Sequence, residues 1–260
     1  MVFRLGKLVA VVTGGSTGLG LATAQRIVKQ GGKVTIIDRS ESRGIEAVEK
    51  LGKDNCAFCP CDVTNTEDLS EAVDLTLARF DAVHVLVNCV GTSTSRAVYN
   101  IGRDLPHPLD LFQEILDTNI MGTFNAIRCF VPEMAKNEPD EDGQRGVIIN
   151  TSSTFAFCGQ RSHISHSTSK AAVAAMTLPL ARELGKQGIR TVAIAPGYFS
   201  TPNIMTIPEN IQKLISHQNL YPSRLGNPDE YAMLAQSIIE NTFINGTIIK
   251  LDGALRSLYS

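Results

Sequence analysis

One stretch limits the possible folds of this chain more than any other. The β-branched run Leu8-Val9-Ala10-Val11-Val12-Thr13 leads straight into Gly14-Gly15-Ser16-Thr17-Gly18-Leu19-Gly20. The run has no polar alternation, so it reads as a strand buried on both faces. The glycines end it in a tight turn. Residues 21–30 then place apolar side chains at helical spacing until Gly31-Gly32 stops them. Strand, glycine turn and helix together open a parallel βαβ unit. A backbone stripped of side chains at such a turn can approach a diphosphate, whose charge is stabilised by the free amides of the helix start.

The alternation continues along the chain. Residues 33–38, 56–63, 84–88, 146–152, 191–196 and 247–251 read as short apolar strands. Residues 42–51, 67–80, 109–134 and 167–187 read as helices, with Gly122 interrupting the third and Pro179 kinking the last. This pattern predicts an α/β fold: a Rossmann-type, doubly wound parallel sheet with helices on both faces, in a single domain over 1–260. Residues 203–227 are polar and helix-prone, and fall between the last two strands. Ligands of open α/β sheets lie at the carboxyl ends of the strands, so this segment is expected to act as a substrate lid.

Composition narrows the function classes. A chain of 260 residues suits one domain with a full core. The net charge of −2 offers no basic field for nucleic acid, and no apolar run is long enough to span a bilayer. Six cysteines in a chain of this length, without a secretory signal, suggest a reducing compartment. Cys56-Ala57-Phe58-Cys59-Pro60-Cys61 lacks a second ligand group at matching spacing, so no metal is expected there. Residues 1–7 carry Arg4, Lys7 and no acid, and are too short before the first strand to read as a cleavable transit peptide.

A dinucleotide fits the amino-terminal motif. Gly14, Ser16, Gly18, Leu19 and Gly20 form the expected phosphate loop. Asp38, eighteen residues after Gly20 at the end of the second strand, is placed to accept bonds from ribose hydroxyls. A carboxylate there repels a 2′-phosphate and favours NAD over NADP, although Arg39 beside it could offset that repulsion.

Further along, Ser153, His166 and Lys170 follow one another at intervals of thirteen and four. This resembles the Ser…Tyr-x-x-x-Lys constellation of the short-chain dehydrogenase/reductase family, with histidine where that family carries its tyrosine. The resemblance implies that Ser153 polarises a substrate oxygen and that Lys170 lowers its partner's pKa and holds the nicotinamide ribose. It also implies that Asn119, in Thr118-Asn119-Ile120-Met121-Gly122, maintains a water relay to the lysine. Asp62-Val63 resembles an adenine-contacting pair. Asn88-Cys89-Val90-Gly91 resembles the family's Asn-Asn-Ala-Gly element, in which Asn88 and Gly91 match and Cys89 reads as packing. Pro196-Gly197 and Thr201 resemble the loop that holds the carboxamide. Tyr198, the one other tyrosine near this machinery, is expected to approach from the nicotinamide side.

The histidine decides the chemistry. Imidazole has a reference pKa of about 6.5 against about 10 for phenol, and a nearby ammonium lowers it further. A neutral His166 can take a proton during alcohol oxidation but is a scarce donor for ketone reduction. It is also shorter than tyrosine, so a bridging water is expected between it and the substrate oxygen. Two readings stand: an NAD-dependent oxidoreductase with impaired catalysis, and an NAD-binding scaffold without turnover.

Residues 146–151, 176–179, 194–197, 222–226 and 251–254, with the insertion at 99–107, resemble one mitochondrial branch of the family that oxidises 3-hydroxyacyl-CoA and steroid alcohols. The resemblance implies a homotetramer, a mitochondrial rather than cytoplasmic location, and a partnership in an RNA-processing complex as a subunit of mitochondrial ribonuclease P. Thr154-Phe155 stands where that branch has smaller residues, which predicts a narrower substrate pocket. Ala171, Ala172, Ala174 and Ala175 suit close helix contact in a tetramer, and equally suit packing on the chain's own sheet.

Overall fold

The computed structural model describes residues 3–255. Seven parallel strands form the centre: β1 (Val9–Thr13), β2 (Lys33–Asp38), β3 (Cys56–Pro60), β4 (Val85–Asn88), β7 (Gly146–Thr151), β8 (Ile189–Pro196) and β9 (Ile248–Leu251). Their spatial order is β3-β2-β1-β4-β7-β8-β9, and every neighbouring pair is parallel. Chain direction across the sheet reverses between β1 and β4. That switch point opens a crevice at the carboxyl ends of the strands, where Thr13 pairs in register with Asn88.

Successive side chains on each strand enter opposite cores. Ala10, Val12, Val85, Val87, Val147 and Ile149 meet α1 (Gly18–Lys29) and α10 (Pro228–Glu240) on one face. Val11, Leu86 and Ile148 meet α3 (Thr66–Phe80), α5 (Gly122–Met134) and the end of α7 (Ile164–Leu184) on the other. Both faces are covered, which explains why the strand sequences carry no polar alternation. The remaining helices are α2 (Glu41–Leu51), α4 (Leu109–Leu116), and the short α6 (Phe155–Cys158), α8 (Pro202–Met205) and α9 (Glu209–Ser216).

Several expectations shift. The third strand ends at Pro60, so Asp62 and Val63 lie in the loop after it. The helix expected over 109–134 is continuous, but a π-helical turn, Asp117–Met121, lies between α4 and α5 and carries Asn119. Gly122 follows the turn, and a Cβ there would sit 2.4 Å from Val63 Cγ2, so this glycine allows the close packing. Helix α7 begins at Ile164, which puts His166 in its first turn; Pro179 lies inside it without ending it. The insertion at 99–107 carries a hairpin of β5 (Tyr99–Asn100) and β6 (Leu105–Pro106).

Sequence periodicity missed α10 altogether, although its start was written in the chain. Asn227 accepts from Asp229 N–H, Glu230 reaches back to the Asn227 amide, and Pro228 takes the first turn. The cysteine trio divides between the two cores: Cys56 faces one, and Cys59 and Cys61 face the other. Burial pushes their thiols up, that of Cys56 to about 12. Among the described residues no cluster is placed to hold a metal ion, and no helix is long and apolar enough to cross a membrane.

Candidate active site

A cleft of about 360 Å³ opens at the switch point. Gly14, Gly18, Leu19 and Gly20 from the β1–α1 turn line it, with Asp38, Asp62, Val63, Gly91 and Thr201. The glycines are there for clearance as much as for flexibility. A Cβ on Gly20 would lie 2.3 Å from the Gly14 carbonyl oxygen, and Gly14 itself has φ +64°. Asp38 ties the turn to β2: its carboxylate accepts the Ser16 hydroxyl at 2.5 Å and the Ser40 amide at 3.2 Å. Ser16 thus acts behind the cleft wall, as the partner of Asp38. Arg39 and Arg43 also line the cleft, and Arg39 lies 3.6 Å from Asp62.

A dinucleotide fits these residues. The bare turn at Gly14–Gly20 leaves room for a diphosphate against the amides of α1, and Asp38 presents a carboxylate at the far end. Thr17, Cys61, Cys89, Val90, Thr92, Thr118, Pro202 and Asn203 complete the lining. None was named as a site residue from sequence, although Thr17, Cys89, Val90 and Thr118 fall inside the motifs quoted above; Cys61, Thr92 and Pro202 reach the cleft through the fold alone. Pro202 and Asn203 place the start of the 203–227 segment against the cleft. Pro196 and Gly197 do not line this cleft; the Thr154 amide donates to the Pro196 carbonyl and Gly197 N–H donates to the Leu251 carbonyl. Asn88 is beneath the floor, donating to Asn150 Oδ1 at 2.9 Å and 2 % exposed.

The second half of the site converges on Gly91. A Cβ there would lie 2.8 Å from Lys170 Nζ, too close for the ammonium to stay in place, and in ordinary contact with Asn119 Oδ1 at 3.5 Å. Asn119 is fully committed. Its Oδ1 accepts Thr92 N–H at 2.8 Å, and its Nδ2 donates to the Thr92 carbonyl and to Ser169 Oγ, both at 2.9 Å. The π-helical turn holds this buried amide against Thr92, which lines the cleft, and π turns often occur at functional sites. Lys170 is buried and donates to the Thr151 carbonyl at 2.8 Å. Ser152 Oγ donates to the Lys170 carbonyl at 2.8 Å and so locks β7 to α7. Ser153 follows and accepts the Phe155 amide at 3.2 Å, which leaves its own proton for another acceptor.

His166 stands one turn before Lys170. Burial holds its imidazole down at about 4, and the Lys170 ammonium and His163 push the same way, while a backbone hydrogen bond at Thr92 opposes them. Burial outweighs the ammonium that sequence reasoning named as the cause. Nδ1 is shielded and unpartnered, so the ring is neutral with proton-accepting capacity. Burial also lowers Lys170, to about 8. Phe155 closes the space above: its ring lies 6.2 Å from His166, 6.4 Å from His163 and 5.5 Å from Tyr198. Tyr198 donates to Gln160 at 3.3 Å, away from the Lys170–Asn119 centre.

Residues 8–212 match the family model described as short chain dehydrogenase. The chain belongs to the short-chain dehydrogenase family. Within that family it is 50% identical over 249 residues to the 3-hydroxyacyl-CoA dehydrogenase type-2 of Homo sapiens, covering 96% of this chain and 95% of the relative. It is 35% identical to the ipsdienol dehydrogenase of Ips pini, over 98% of this chain and all of the relative. A crystal structure of 3-hydroxyacyl-CoA dehydrogenase type-2 from Mycobacterium avium superposes with a TM-score of 0.92 at 30% identity, covering 96% of each chain. This short-chain dehydrogenase is therefore an oxidoreductase of the Rossmann type, similar throughout its length to hydroxyacyl-CoA dehydrogenases.

Proposed function

We propose that the protein uses NAD to interconvert a secondary alcohol and a ketone, with a 3-hydroxyacyl-CoA thioester as substrate and a hydroxysteroid as a second class. One observation carries the reading. The cleft bounded by Asp38 at one end runs to Gly91, where Lys170 and Asn119 meet beside His166. Asp38 favours free ribose hydroxyls over a 2′-phosphate. The names of the relatives supply the substrate class.

A bound nicotinamide supplies the hydride acceptor. The chain's residues do the rest. Ser153 donates its hydroxyl proton to the substrate oxygen and orients it. His166, held neutral by burial, takes the alcohol proton through a bridging water. Lys170 presents its ammonium at the cleft wall, stabilising negative charge and anchoring the ribose. Because the imidazolium is scarce at neutral pH and the remaining N–H of neutral imidazole is a very weak acid, oxidation is the favoured direction and turnover is slow, with a penalty on the order of 10²–10⁴ for the indirect transfer. Phe155 narrows the cleft toward short or unbranched acyl chains.

The scaffold reading has one observation in its favour: the same burial that keeps His166 neutral isolates Nδ1 from any partner. Under that reading the protein binds NAD and partners, including an RNA-processing complex like ribonuclease P, without chemistry. Under either reading a homotetramer and a mitochondrial location are proposed from resemblance. The exposed Leu109, Met121 and Phe124 along α4, the π turn and α5 fit burial in such an assembly.

Fluorescence titration with NADH and NADPH, followed by an overnight assay with a short 3-hydroxyacyl-CoA and with steroid alcohols, separates the readings. NADH is expected to bind at least tenfold more tightly than NADPH, with slow product formation from the thioester. Binding without turnover selects the scaffold, and tighter NADPH binding overturns the assignment of Asp38.

A further inference from the structure

Lys170 is a buried cation held by a neutral group. Its Nζ donates to the Thr151 carbonyl at 2.8 Å, and among the described residues no carboxylate pairs with it. A buried ammonium without a counter-ion depends on the exact aim of its acceptors. The position of the Thr151 peptide is therefore as important to the site as the lysine.

Thr151 is fixed from behind. Its Oγ1 lies 2.6 Å from the Asn88 carbonyl and 2.7 Å from the Tyr231 hydroxyl. The Asn88 carbonyl can only accept, so the single Thr151 proton goes there. Tyr231 must then be the donor to Thr151. Cys89 Sγ completes the group, 3.6 Å from Thr151 Oγ1 and 3.9 Å from the Tyr231 oxygen. The Tyr231 side chain is fully buried, packed edge-on to Phe199 at 6.5 Å. Burial raises its phenol far above the usual range, so it stays a donor. The bonds form a directed chain: Tyr231 O–H to Thr151, Thr151 O–H to Asn88, and Lys170 to the Thr151 carbonyl.

The structure assigns Tyr231 a positioning role at this centre: its hydroxyl fixes Thr151, and Thr151 holds the Lys170 ammonium at the cleft wall. Tyr231 never reaches the cleft. It lies on α10, on the far side of the sheet from α7, and acts across the sheet through one peptide. The role rests on the reading of the cleft as a dinucleotide site only where binding is measured; the control of Lys170 itself can be read without cofactor.

Three measurements test it. Tyr231→Phe keeps the ring and removes only the hydroxyl. With the lysine ε-carbons labelled with ¹³C, the variant is expected to titrate Lys170 about half a pH unit below wild type, a change of about threefold in its protonation constant. The titratable groups that act on Lys170 are His166 on its own helix and Cys89 just after β4. Burial keeps the His166 ring neutral above pH 6 and raises the Cys89 thiol, and the Tyr231 phenol behind Thr151 is raised in the same way, so each holds one protonation state while Lys170 titrates near 8. NADH affinity is expected to fall about three- to tenfold in the same variant. Thr151→Ser, which retains the hydroxyl, should keep both properties, whereas Thr151→Val should reproduce the Tyr231→Phe effect even if the latter variant folds poorly. An unshifted Lys170 titration in Tyr231→Phe, or a Thr151→Ser as impaired as Thr151→Val, overturns the role. If wild type fails to bind NADH while the Lys170 shift is seen, the cofactor reading falls and the positioning role stands.

Discussion

The dinucleotide side of the cleft and the proton-transfer side are built from different materials. The first works through absence: Gly14, Gly20 and Gly91 leave space that a single Cβ would fill. The second works through presence, as a buried network in which Asn119, Lys170, Thr151 and Tyr231 each occupy a bond that another residue needs. Space is an all-or-none property. A hydrogen-bonded network can lose one member and retain part of its function. The first side should therefore break abruptly under substitution, and the second should grade.

The sharpest test of that contrast is Gly20→Ala. Its methyl would enter within 2.3 Å of a backbone oxygen that cannot move aside, so a loss of about 3 kcal/mol or more is expected in thermal or urea unfolding. A variant as stable as wild type would show that the turn is looser than described.

On the other side, acid should expose His166. Its folded-state value of about 4 lies below the ordinary 6.5, so the unfolded chain binds the proton first. Stability is then complete above about pH 6.5 and falls as the pH drops toward 4, by about 2–3 kcal/mol from this group. His84, which accepts the Val9 amide and is lowered by burial, adds a loss of the same sign. Replacing His166 with Phe should flatten the urea-unfolding profile between pH 6.5 and 4 relative to wild type; parallel profiles would remove the burial argument.

Lys170→Met is expected to act in opposite senses on stability and binding. The lysine is depressed to about 8, so burying it charged opposes folding below that pH, and the cost is relieved as pH rises from about 8 to 10.5. The variant should gain about 1–2 kcal/mol at pH 7 while losing NADH affinity. Loss of both would mean that the ammonium is a net structural support. His166→Tyr should raise oxidation of a short 3-hydroxyacyl-CoA at least tenfold, about 1.4 kcal/mol of barrier; equal steady-state rates would refute the role given to the histidine. The smallest effect belongs to Arg224, which pairs with Glu230 on the surface at 2.7 Å. Arg224→Ala should cost less than about 1 kcal/mol and leave both sides of the cleft unchanged.

The contrast also explains what could be read from the chain alone. Glycines demanded by close approach leave a mark in sequence, and a βαβ start gives them context. Asp38 was legible for the same reason, at a fixed distance from the turn. Ser153, His166 and Lys170 were visible through spacing. Tyr231 was not, because nothing local in Asp229-Glu230-Tyr231-Ala232 separates a phenol that supports the active site from one that merely fills a core. Its role arises only when α10 packs behind β7. Asn119 was marked by its motif, but the π turn that carries it has no composition of its own. The α10 start was missed for a different reason: its capping box was in plain view, but helical periodicity beyond it is weak.

That π turn has a consequence for how the site could have arisen. Five residues, Asp117–Met121, hold a bond from the Gly122 amide to the Asp117 carbonyl, one residue wider than an α-helical turn. Such a turn is what one inserted residue leaves behind in a regular helix. Everything beyond it is rotated by about 100° relative to the helix before it. Deleting one position would return α4 and α5 to a common phase, carry the Asn119 amide away from Thr92 and turn Gly122 away from Val63. A one-codon event thus separates a plain surface helix from one that supplies a site residue, and the reversal would be equally abrupt.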